Sequence, residues 1–296
     1  MQKEIKLVVL DLDGTILNLY RHTPISPAVI KAVGAIQARG IPVTIGTGRT
    51  LEYVRSYVAP LGITTPVITT QGAILGDPTS GAVLHAEHIP SSLARRVAAW
   101  IDVHPYVVAL YFSDADGRTH IFQNRAGDEV DFYDHVFGAP RQIQTLMADL
   151  LPPGDVAPHI SHPLIKFIVI DEPALPGAAV DLPLTLQQMF GPQLYVTRTH
   201  PRLVEGTAEG VDKGSGLLRL CELVGVEPAH VLVIGDSDND IPMLKAAGVA
   251  VAMGNASPGV KAVADWIAPS IDDDGAVIAL ERFLLDGSHS GPDNPA

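Results

Sequence analysis

Hydrophobic residues along the chain form short continuous runs that alternate with longer stretches of helical spacing. The runs at 6–10 and 231–234 are rich in β-branched residues and leucine, which is typical of strands buried on both faces. Residues that favour helix ends lie between such runs: Ser26 and Pro27 suit the start of a helix, and Gly40 suits its end. This part of the chain is predicted to contain strands at 6–10, 42–46, 67–70, 231–234 and 249–252, and helices at 27–40, 50–59, 214–224 and 241–247. Strands that alternate with helices predict a parallel sheet covered on both faces.

The middle of the chain has a different pattern. Residues 107–112 and 119–123 flank the turn-rich segment Ser113-Asp-Ala-Asp-Gly-Arg118, which predicts an antiparallel hairpin. Further strands are predicted at 164–170 and 194–199, with helices at 91–104 and before Phe190. We therefore predict an α/β fold whose core is a doubly wound parallel sheet (Rossmann-like), with an inserted α+β cap domain. The predicted domains are a first core part at 1–84, the cap at 85–199, a second core part at 200–285 and a flexible tail at 286–296.

Composition and charge exclude several classes of protein. The chain has 296 residues, of which 47% are hydrophobic and 18% charged, so a sizeable buried core is expected. The net charge of −13 argues against non-specific binding to nucleic acid or to an anionic membrane. The single cysteine, Cys221, cannot form an intramolecular disulfide and is predicted to be a small core residue. Without a long apolar run or a signal-peptide pattern, we expect a cytoplasmic protein.

Two aspartates follow directly after the first predicted strand, in Asp11-Leu-Asp-Gly-Thr15. Parallel sheets bind ligands outside the carboxyl ends of their strands, so this segment lies where a site is expected. Paired carboxylates repel each other and favour a cation, and Mg²⁺ with its oxygen ligands fits best. Gly14 allows a sharp turn that leaves backbone N–H groups free to face an anion. A plain surface turn is the alternative interpretation.

A second acidic segment, Gly235-Asp-Ser-Asp-Asn-Asp240, follows the predicted strand at 231–234. An EF-hand calcium loop does not fit, because its sixth position holds Ile241 instead of glycine and its twelfth holds Ala247 instead of glutamate. Two strand ends that both carry carboxylates favour one shared cation site over two separate turns.

Two further segments suit the binding of a phosphate group. Thr47-Gly-Arg49 follows the second predicted strand, and it offers a hydroxyl together with the backbone N–H of Gly48. A dinucleotide fingerprint is absent, because its third glycine would have to stand where Leu51 is. Lys213 precedes a predicted helix, where an ammonium group and a helix N-terminus together suit an anion.

Together these segments resemble the haloacid dehalogenase superfamily of phosphohydrolases. The carriers of the resemblance are DLDGT at 11–15, TGR at 47–49, the lysine at 213 and GDSDND at 235–240. Ala252-Met-Gly-Asn-Ala256 and Asp273-Asp-Gly275 are similar to the C-terminal pattern of the Cof-type branch, and the large insertion is similar in size and element order to the C2 cap of subclass IIB. The resemblance implies hydrolysis of phosphomonoesters, with the cap acting as a lid.

The resemblance implies a role for each matching acidic residue. Asp11 is implied to be the nucleophile that forms an aspartyl-phosphate, and Asp13 the general acid and base. Asp11, the backbone carbonyl of Asp13, and Asp236 are implied to hold Mg²⁺, with Asp240 as a further acid that steadies the site.

Phosphate contacts are implied for Thr47, Gly48 and Lys213, and a further contact for Asn239. One position departs from the family pattern: the branch has Asn-Gly-Ala after its third strand, whereas this chain has Gln71-Gly-Ala73. The longer side chain of Gln71 keeps the amide but shifts its position.

The expected substrate is a small phosphorylated metabolite, either a sugar phosphate or a phosphorylated cofactor. Two alternatives stay open: a sugar phosphomutase that uses the same aspartyl-phosphate, and a non-catalytic sensor of phosphometabolites. We expect a monomer or weak homodimer that binds neither nucleic acid nor membrane.

Overall fold

A computed structural model of the chain describes residues 4–18, 24–114, 116–124, 147–148, 156, 160, 162–171, 176–200 and 202–285. The chain divides into two units. The first, the core unit, comprises Met1–Leu84 and Asp212–Ala296, and the second, the inserted unit, comprises His85–Val211. The tail predicted at 286–296 lies outside the described residues.

Most predicted elements are present with their ends shifted by a few residues. The strands are β1 (Leu7–Leu10), β2 (Val43–Ile45), β3 (Val67–Thr69), β4 (Ile74–Gly76), β5 (Val83–Ala86), β6 (Val108–Ser113), β7 (Thr119–Gln123), β8 (Met147–Ala148), β9 (Leu164–Ile170), β10 (Leu194–His200), β11 (Leu203–Ala208), β12 (Val231–Gly235), β13 (Val249–Ala252) and β14 (Trp266–Ile267). The helices are α1 (Pro27–Ala38), α2 (Leu51–Val58), α3 (Ser91–Val103), α4 (Leu182–Phe190), α5 (Lys213–Val224), α6 (Ile241–Ala246), α7 (Pro258–Val263) and α8 (Gly275–Leu280).

The core unit is built on a five-stranded parallel sheet in the order β14-β13-β12-β1-β2. Alternate residues of β1 enter two hydrophobic cores: Val8 and Leu10 pack on the side of α1 and α8, and Leu7 and Val9 pack on the side of α5 and α6. Both faces of the sheet are therefore buried, which explains why its strands are continuous apolar runs. The predicted doubly wound parallel sheet is confirmed.

The predicted helix ends are also present in the core unit. The Ser26 hydroxyl accepts a hydrogen bond from the N–H of Val29 at the start of α1, and Gly225 ends α5 in the left-handed conformation. The strand predicted at 67–70 joins β2 through one parallel bridge, Gly46 to Ile68, and pairs with β4 in a separate three-stranded sheet. Cys221 is buried in the core, as predicted.

The inserted unit contains a six-stranded sheet in the order β10-β11-β9-β6-β7-β8. Strands β6 and β7 form the predicted antiparallel hairpin, and in its turn the side chain of Asp114 accepts hydrogen bonds from the N–H groups of Asp116 and Arg118. The aspartates and the glycine of this segment therefore serve an Asx-type turn, so their presence does not require a metal or ligand site in the hairpin.

The second boundary of the inserted unit lies after Val211, later than the predicted position after residue 199. The sequence does not predict strand β11, because Glu205 and Gly206 interrupt its apolar pattern. Glu205 is nevertheless buried, since its carboxylate accepts a hydrogen bond of 2.6 Å from Lys166 Nζ. Because β11 pairs antiparallel with both β10 and β9, it belongs to the inserted sheet.

None of the helices among the described residues has the length and the hydropathy that a membrane span requires.

Candidate active site

Three of the predicted site segments follow neighbouring strands of the core sheet. Leu10, the last residue of β1, pairs with Ile234 of β12 on one side and with Ile45 of β2 on the other. The chain therefore leaves β1 at Asp11 between the segments that begin with Asp236 and Thr47. This juxtaposition at the carboxyl ends of parallel strands is the expected position for a ligand site.

Lys213 connects two of the buried carboxylates. It is the first residue of α5, whose N-cap Asp212 forms a capping box with Ser215. Its Nζ donates hydrogen bonds of 2.6 Å to Oδ1 of Asp11 and 2.6 Å to Oδ1 of Asp240, and the lysine side chain is only 2% exposed. Burial alone would lower the pKa of Lys213, but the two carboxylates outweigh it and raise the pKa above its usual value. The lysine is therefore charged at neutral pH.

Asp240 is held by hydrogen bonds on both carboxylate oxygens. Oδ1 accepts from Lys213, and Oδ2 accepts from the backbone N–H groups of Asp236 and Ser237 at 2.9 and 3.0 Å. Gly235 leaves room for this carboxylate, because a Cβ at that position would lie 2.7 Å from it. Asp240 thus fixes both the lysine and the backbone of the segment that carries Asp236.

Three carboxylates form a group that could hold a metal ion. Asp11, Asp236 and Asp240 each offer an oxygen atom, and these atoms lie within 4.8 Å of one another. Burial, followed by repulsion from Asp240, raises the pKa of Asp11 well above its usual value and that of Asp236 to about 7. Lys213 supplies one positive charge to three carboxylates, so a negative excess remains. An all-oxygen donor set with excess negative charge fits a hard divalent cation.

The side chain of Asp13 forms an ion pair with Arg49 and does not contact Lys213 in the way that Asp11 and Asp240 do. Its two carboxylate oxygens accept hydrogen bonds from Nε and Nη2 of Arg49 at 2.6 and 2.7 Å, an arrangement in which the guanidinium grips both oxygens. The Arg49 side chain is 5% exposed, and its guanidinium carbon lies 4.1 Å from the centre of the Tyr53 ring. The side chain of Asp13 is therefore not one of the three grouped carboxylates, and its predicted metal contact through the backbone carbonyl stays a prediction.

The sequence predicts no partner for Arg49, the last residue of the motif at 47–49, because no local pattern pairs it with a carboxylate 36 positions away. The parallel pairing of β1 with β2 is the signal that could have found this contact, because it brings the residues after the two strands together.

The predicted phosphate-binding residues lie around the same edge of the sheet. Thr47 is buried, and its Oγ1 accepts a hydrogen bond of 3.2 Å from the N–H of Arg49. Asn239 is also buried, and its Nδ2 donates to Oε1 of Gln71 at 3.0 Å. The N–H of Gln71 in turn donates to the carbonyl of Thr47 at 3.2 Å. Gln71 therefore links the two predicted phosphate-binding segments.

Gly14 has a structural reason to be glycine. Its φ is +88°, and a Cβ at this position would lie 2.3 Å from Oδ2 of Asp236. The Nδ2 atom of Asn255 donates to the carbonyl of Gly14 at 2.9 Å and to Oδ2 of Asp236 at 3.3 Å. Asn255 belongs to the segment 252–256, whose sequence alone does not predict this contact with the acidic group.

Comparisons with known proteins are consistent with this geometry. The profile of a family described as haloacid dehalogenase-like hydrolase matches residues 8–280. A phosphoglycolate phosphatase of Methanopyrus kandleri is 30% identical over 285 residues, which cover 94% of this chain and 97% of that protein. The 5-amino-6-(5-phospho-D-ribitylamino)uracil phosphatase YcsE of Bacillus subtilis is 26% identical over 288 residues, covering 95% and 97%.

The same relationship is present among solved structures. A phosphatase of the haloalkanoate superfamily from Bacteroides thetaiotaomicron has a TM-score of 0.76 and 27% sequence identity. The similarity covers 95% of this chain and 96% of that one, so it extends over both units.

Proposed function

Since the chain belongs to the haloacid dehalogenase-like hydrolase family and is a phosphatase of that family, we propose that it hydrolyses small phosphomonoesters with Mg²⁺ through a phosphorylated Asp11. The resemblance to the family and the prediction of an enzyme are confirmed at this level. The observation that carries the finer proposal is the buried Asp11 carboxylate, which lies 2.6 Å from Lys213 Nζ in a group with Asp236 and Asp240.

Asp11 would act as the nucleophile in the first half of the reaction. One of its oxygens forms a bond to phosphorus while the bond from phosphorus to the ester oxygen breaks, and Asp13 donates a proton to the departing oxygen. In the second half, Asp13 takes a proton from water, and the water oxygen attacks phosphorus to release phosphate and restore Asp11. Lys213 lowers the repulsion between the carboxylate and the phosphate dianion, because its ammonium group already contacts Asp11.

The proposed metal ligands are Asp11, Asp236 and the backbone carbonyl of Asp13. Bound there, Mg²⁺ would offset the negative charge on the phosphoryl oxygens and on the carboxylates. Both oxygens of Asp240 already accept hydrogen bonds from Lys213 and from the backbone. We therefore assign Asp240 to orienting Lys213 and the Asp236 segment.

Arg49 would position Asp13 for proton transfer. General acid catalysis needs the donor within hydrogen-bond reach of the leaving oxygen, so a carboxylate that rotates freely would be correctly placed for only part of the time. The two hydrogen bonds from Arg49 limit that rotation. Thr47, Gly48, Lys213 and Asn239 would bind the phosphoryl oxygens.

The proposed substrates are sugar phosphates or phosphorylated cofactors. Two relatives similar over nearly their whole length are named for the dephosphorylation of phosphoglycolate and of a phosphorylated ribitylaminouracil, both small metabolites. The family relationship supports the reaction more strongly than it supports any one leaving group.

The test is phosphate release from an aryl phosphate and from a panel of sugar phosphates and phosphorylated cofactors. Each is assayed with Mg²⁺ and with EDTA, using the wild type, Asp11→Asn, and Asp238→Asn as a control that removes an exposed carboxylate nearby. We expect metal-dependent release that Asp11→Asn abolishes and Asp238→Asn retains. Release that survives Asp11→Asn would refute the mechanism, and a folded wild type that releases no phosphate would favour the phosphomutase.

A further inference from the structure

The turn that carries Gln71 is buried and adopts an unfavourable backbone conformation. Thr70 and Gln71 have φ angles of +53° and +62°, in the left-handed region that non-glycine residues seldom adopt. Their exposed fractions are 0% and 1%. Two successive residues in this conformation cost conformational energy, and such strain is concentrated at functional sites. The geometry of this turn therefore requires an explanation.

The turn contacts each segment that is proposed to bind phosphate. The N–H of Gln71 donates to the carbonyl of Thr47, and its Oε1 accepts from Asn239. The next residue, Gly72, packs so closely against the N-terminus of α5 that a Cβ would lie 1.9 Å from the carbonyl oxygen of Asp212, directly before Lys213. Gln71 is thus in the middle of the proposed phosphate-binding segments.

The amide nitrogen of Gln71 is a buried donor without a partner among the described residues. The hydrogen bond from Asn239 to Oε1 orients the amide so that Nε2 faces Gly48, where a Cβ would lie 2.5 Å from that nitrogen. Buried N–H groups are nearly always hydrogen-bonded, so an unpaired one calls for an acceptor such as a water, an ion or a ligand. An amide N–H of this kind suits an oxygen acceptor, which the phosphoryl group of the substrate supplies.

We propose that Gln71 Nε2 donates a hydrogen bond to the bound phosphoryl group, next to the contacts from Gly48 and Lys213. This inference rests on the proposed function, because it needs a phosphoryl group in that position. It assigns Gln71 a role of its own, since glutamine places the amide one carbon further from the backbone than asparagine does. The unfavourable backbone of the turn is then the means by which the amide reaches the site.

The test measures binding of orthophosphate by titration calorimetry in the presence of Mg²⁺. Gln71→Met removes the whole amide, both the donor Nε2 and the acceptor Oε1 of the hydrogen bond from Asn239, at nearly constant volume and adds no charge. The matched control is Gln37→Met, because Gln37 donates to the carbonyl of Gly62 on the surface, within the same unit. We expect Gln71→Met to weaken orthophosphate binding about 10- to 100-fold, as for the loss of one hydrogen bond to a charged group, and Gln37→Met to leave it unchanged.

A second variant separates binding from folding. Gln71→Gly also removes the amide, but glycine adopts a φ of +62° without strain, which offsets part of the cost of losing the buried side chain. Circular dichroism and the thermal unfolding midpoint establish that this variant is folded at the assay temperature, and we expect the same loss of orthophosphate affinity in the folded variant. Affinity within twofold of the wild type in a folded Gln71 variant would overturn the inference, and so would a wild type that binds no orthophosphate.

The outcomes for the two proposals are distinguishable. A wild type that binds orthophosphate but hydrolyses no ester would refute the proposed phosphatase function, while the comparison of the Gln71 variants would still decide the role of the amide. A wild type that hydrolyses esters while the Gln71 variants bind orthophosphate normally would refute the role of Gln71 alone.

Discussion

Replacing Asp236 by asparagine should make the metal-free protein more stable, although it removes a proposed metal ligand. Burial and the neighbouring Asp240 raise the pKa of Asp236 from 3.8 to about 7. The fold therefore favours the protonated carboxyl group over the ionised one. Asparagine resembles the protonated form and cannot ionise, so the variant avoids the cost of a buried negative charge.

The expected size and pH dependence follow from this pKa. A rise of about 3 pH units corresponds to at most about 4 kcal/mol, and because Asp236 keeps some contact with solvent we expect about 2 kcal/mol. The stability that protonation of Asp236 contributes is complete below about pH 4, the ordinary pKa of a carboxyl group, and is lost as the pH rises through 7. The advantage of the variant should therefore be absent near pH 4, grow up to pH 7 and be constant above pH 8.

Magnesium should reverse the order of stability of the wild type and Asp236→Asn. If Asp236 is a metal ligand, the wild type gains stability by binding, about 2.7 kcal/mol at a free metal concentration of 100 times Kd. The asparagine variant loses an anionic ligand and should gain much less. The wild type is then the less stable protein in EDTA at pH 8 and the more stable one in excess Mg²⁺.

Urea denaturation followed by tryptophan fluorescence measures both effects, since the chain contains Trp100 and Trp266. Asp238→Asn is the matched control: Asp238 is exposed and lies two residues away, so we expect a change of less than about 1 kcal/mol at every pH and a full response to Mg²⁺. Destabilisation of Asp236→Asn in EDTA at pH 8 would refute the electrostatic argument. A full stabilisation of that variant by Mg²⁺ would refute the assignment of Asp236 as a ligand.

Two further substitutions test the geometry around the site. Gly14→Ala places a Cβ 2.3 Å from Oδ2 of Asp236, so we expect it to weaken Mg²⁺ binding more than about tenfold in titration calorimetry, since the loss of one charged contact has an effect of that size. Gly40→Ala is its control: φ is a similar +80°, but nothing lies within 4 Å of the new Cβ, so this variant should lose only about 1–2 kcal/mol of stability and bind Mg²⁺ normally. Arg49→Lys loses the bidentate pair of hydrogen bonds to Asp13 and should lower kcat about tenfold with little change in KM. An unchanged kcat would contradict the positioning role.

The local pattern was sufficient to predict the elements of the core and the position of its acidic segments. Strands buried on both faces must be continuous apolar runs, and helix caps require particular residue types, so both are visible in a single sequence. The alternation of these elements implies a parallel sheet, which in turn places Asp11, Thr47 and Asp236 after strand ends at one edge of that sheet. The order β12-β1-β2, which makes these three ends adjacent, is given by the tertiary structure. Strands that contain buried polar residues cannot be predicted from the hydrophobic pattern. Glu205 interrupts the apolar pattern of β11, and the pairing with Lys166 that allows its burial is a long-range contact.

The amino-acid sequence shows which chemical groups stand at the ends of the strands. Which of these groups are partners is visible only in the folded chain: Lys213 with Asp11 and Asp240, Arg49 with Asp13, and Gln71 with Asn239. Because these contacts join residues 27 to 202 positions apart, they depend on strand register, helix placement and side-chain reach. Local preferences act over a few residues and carry no information about distances of that kind.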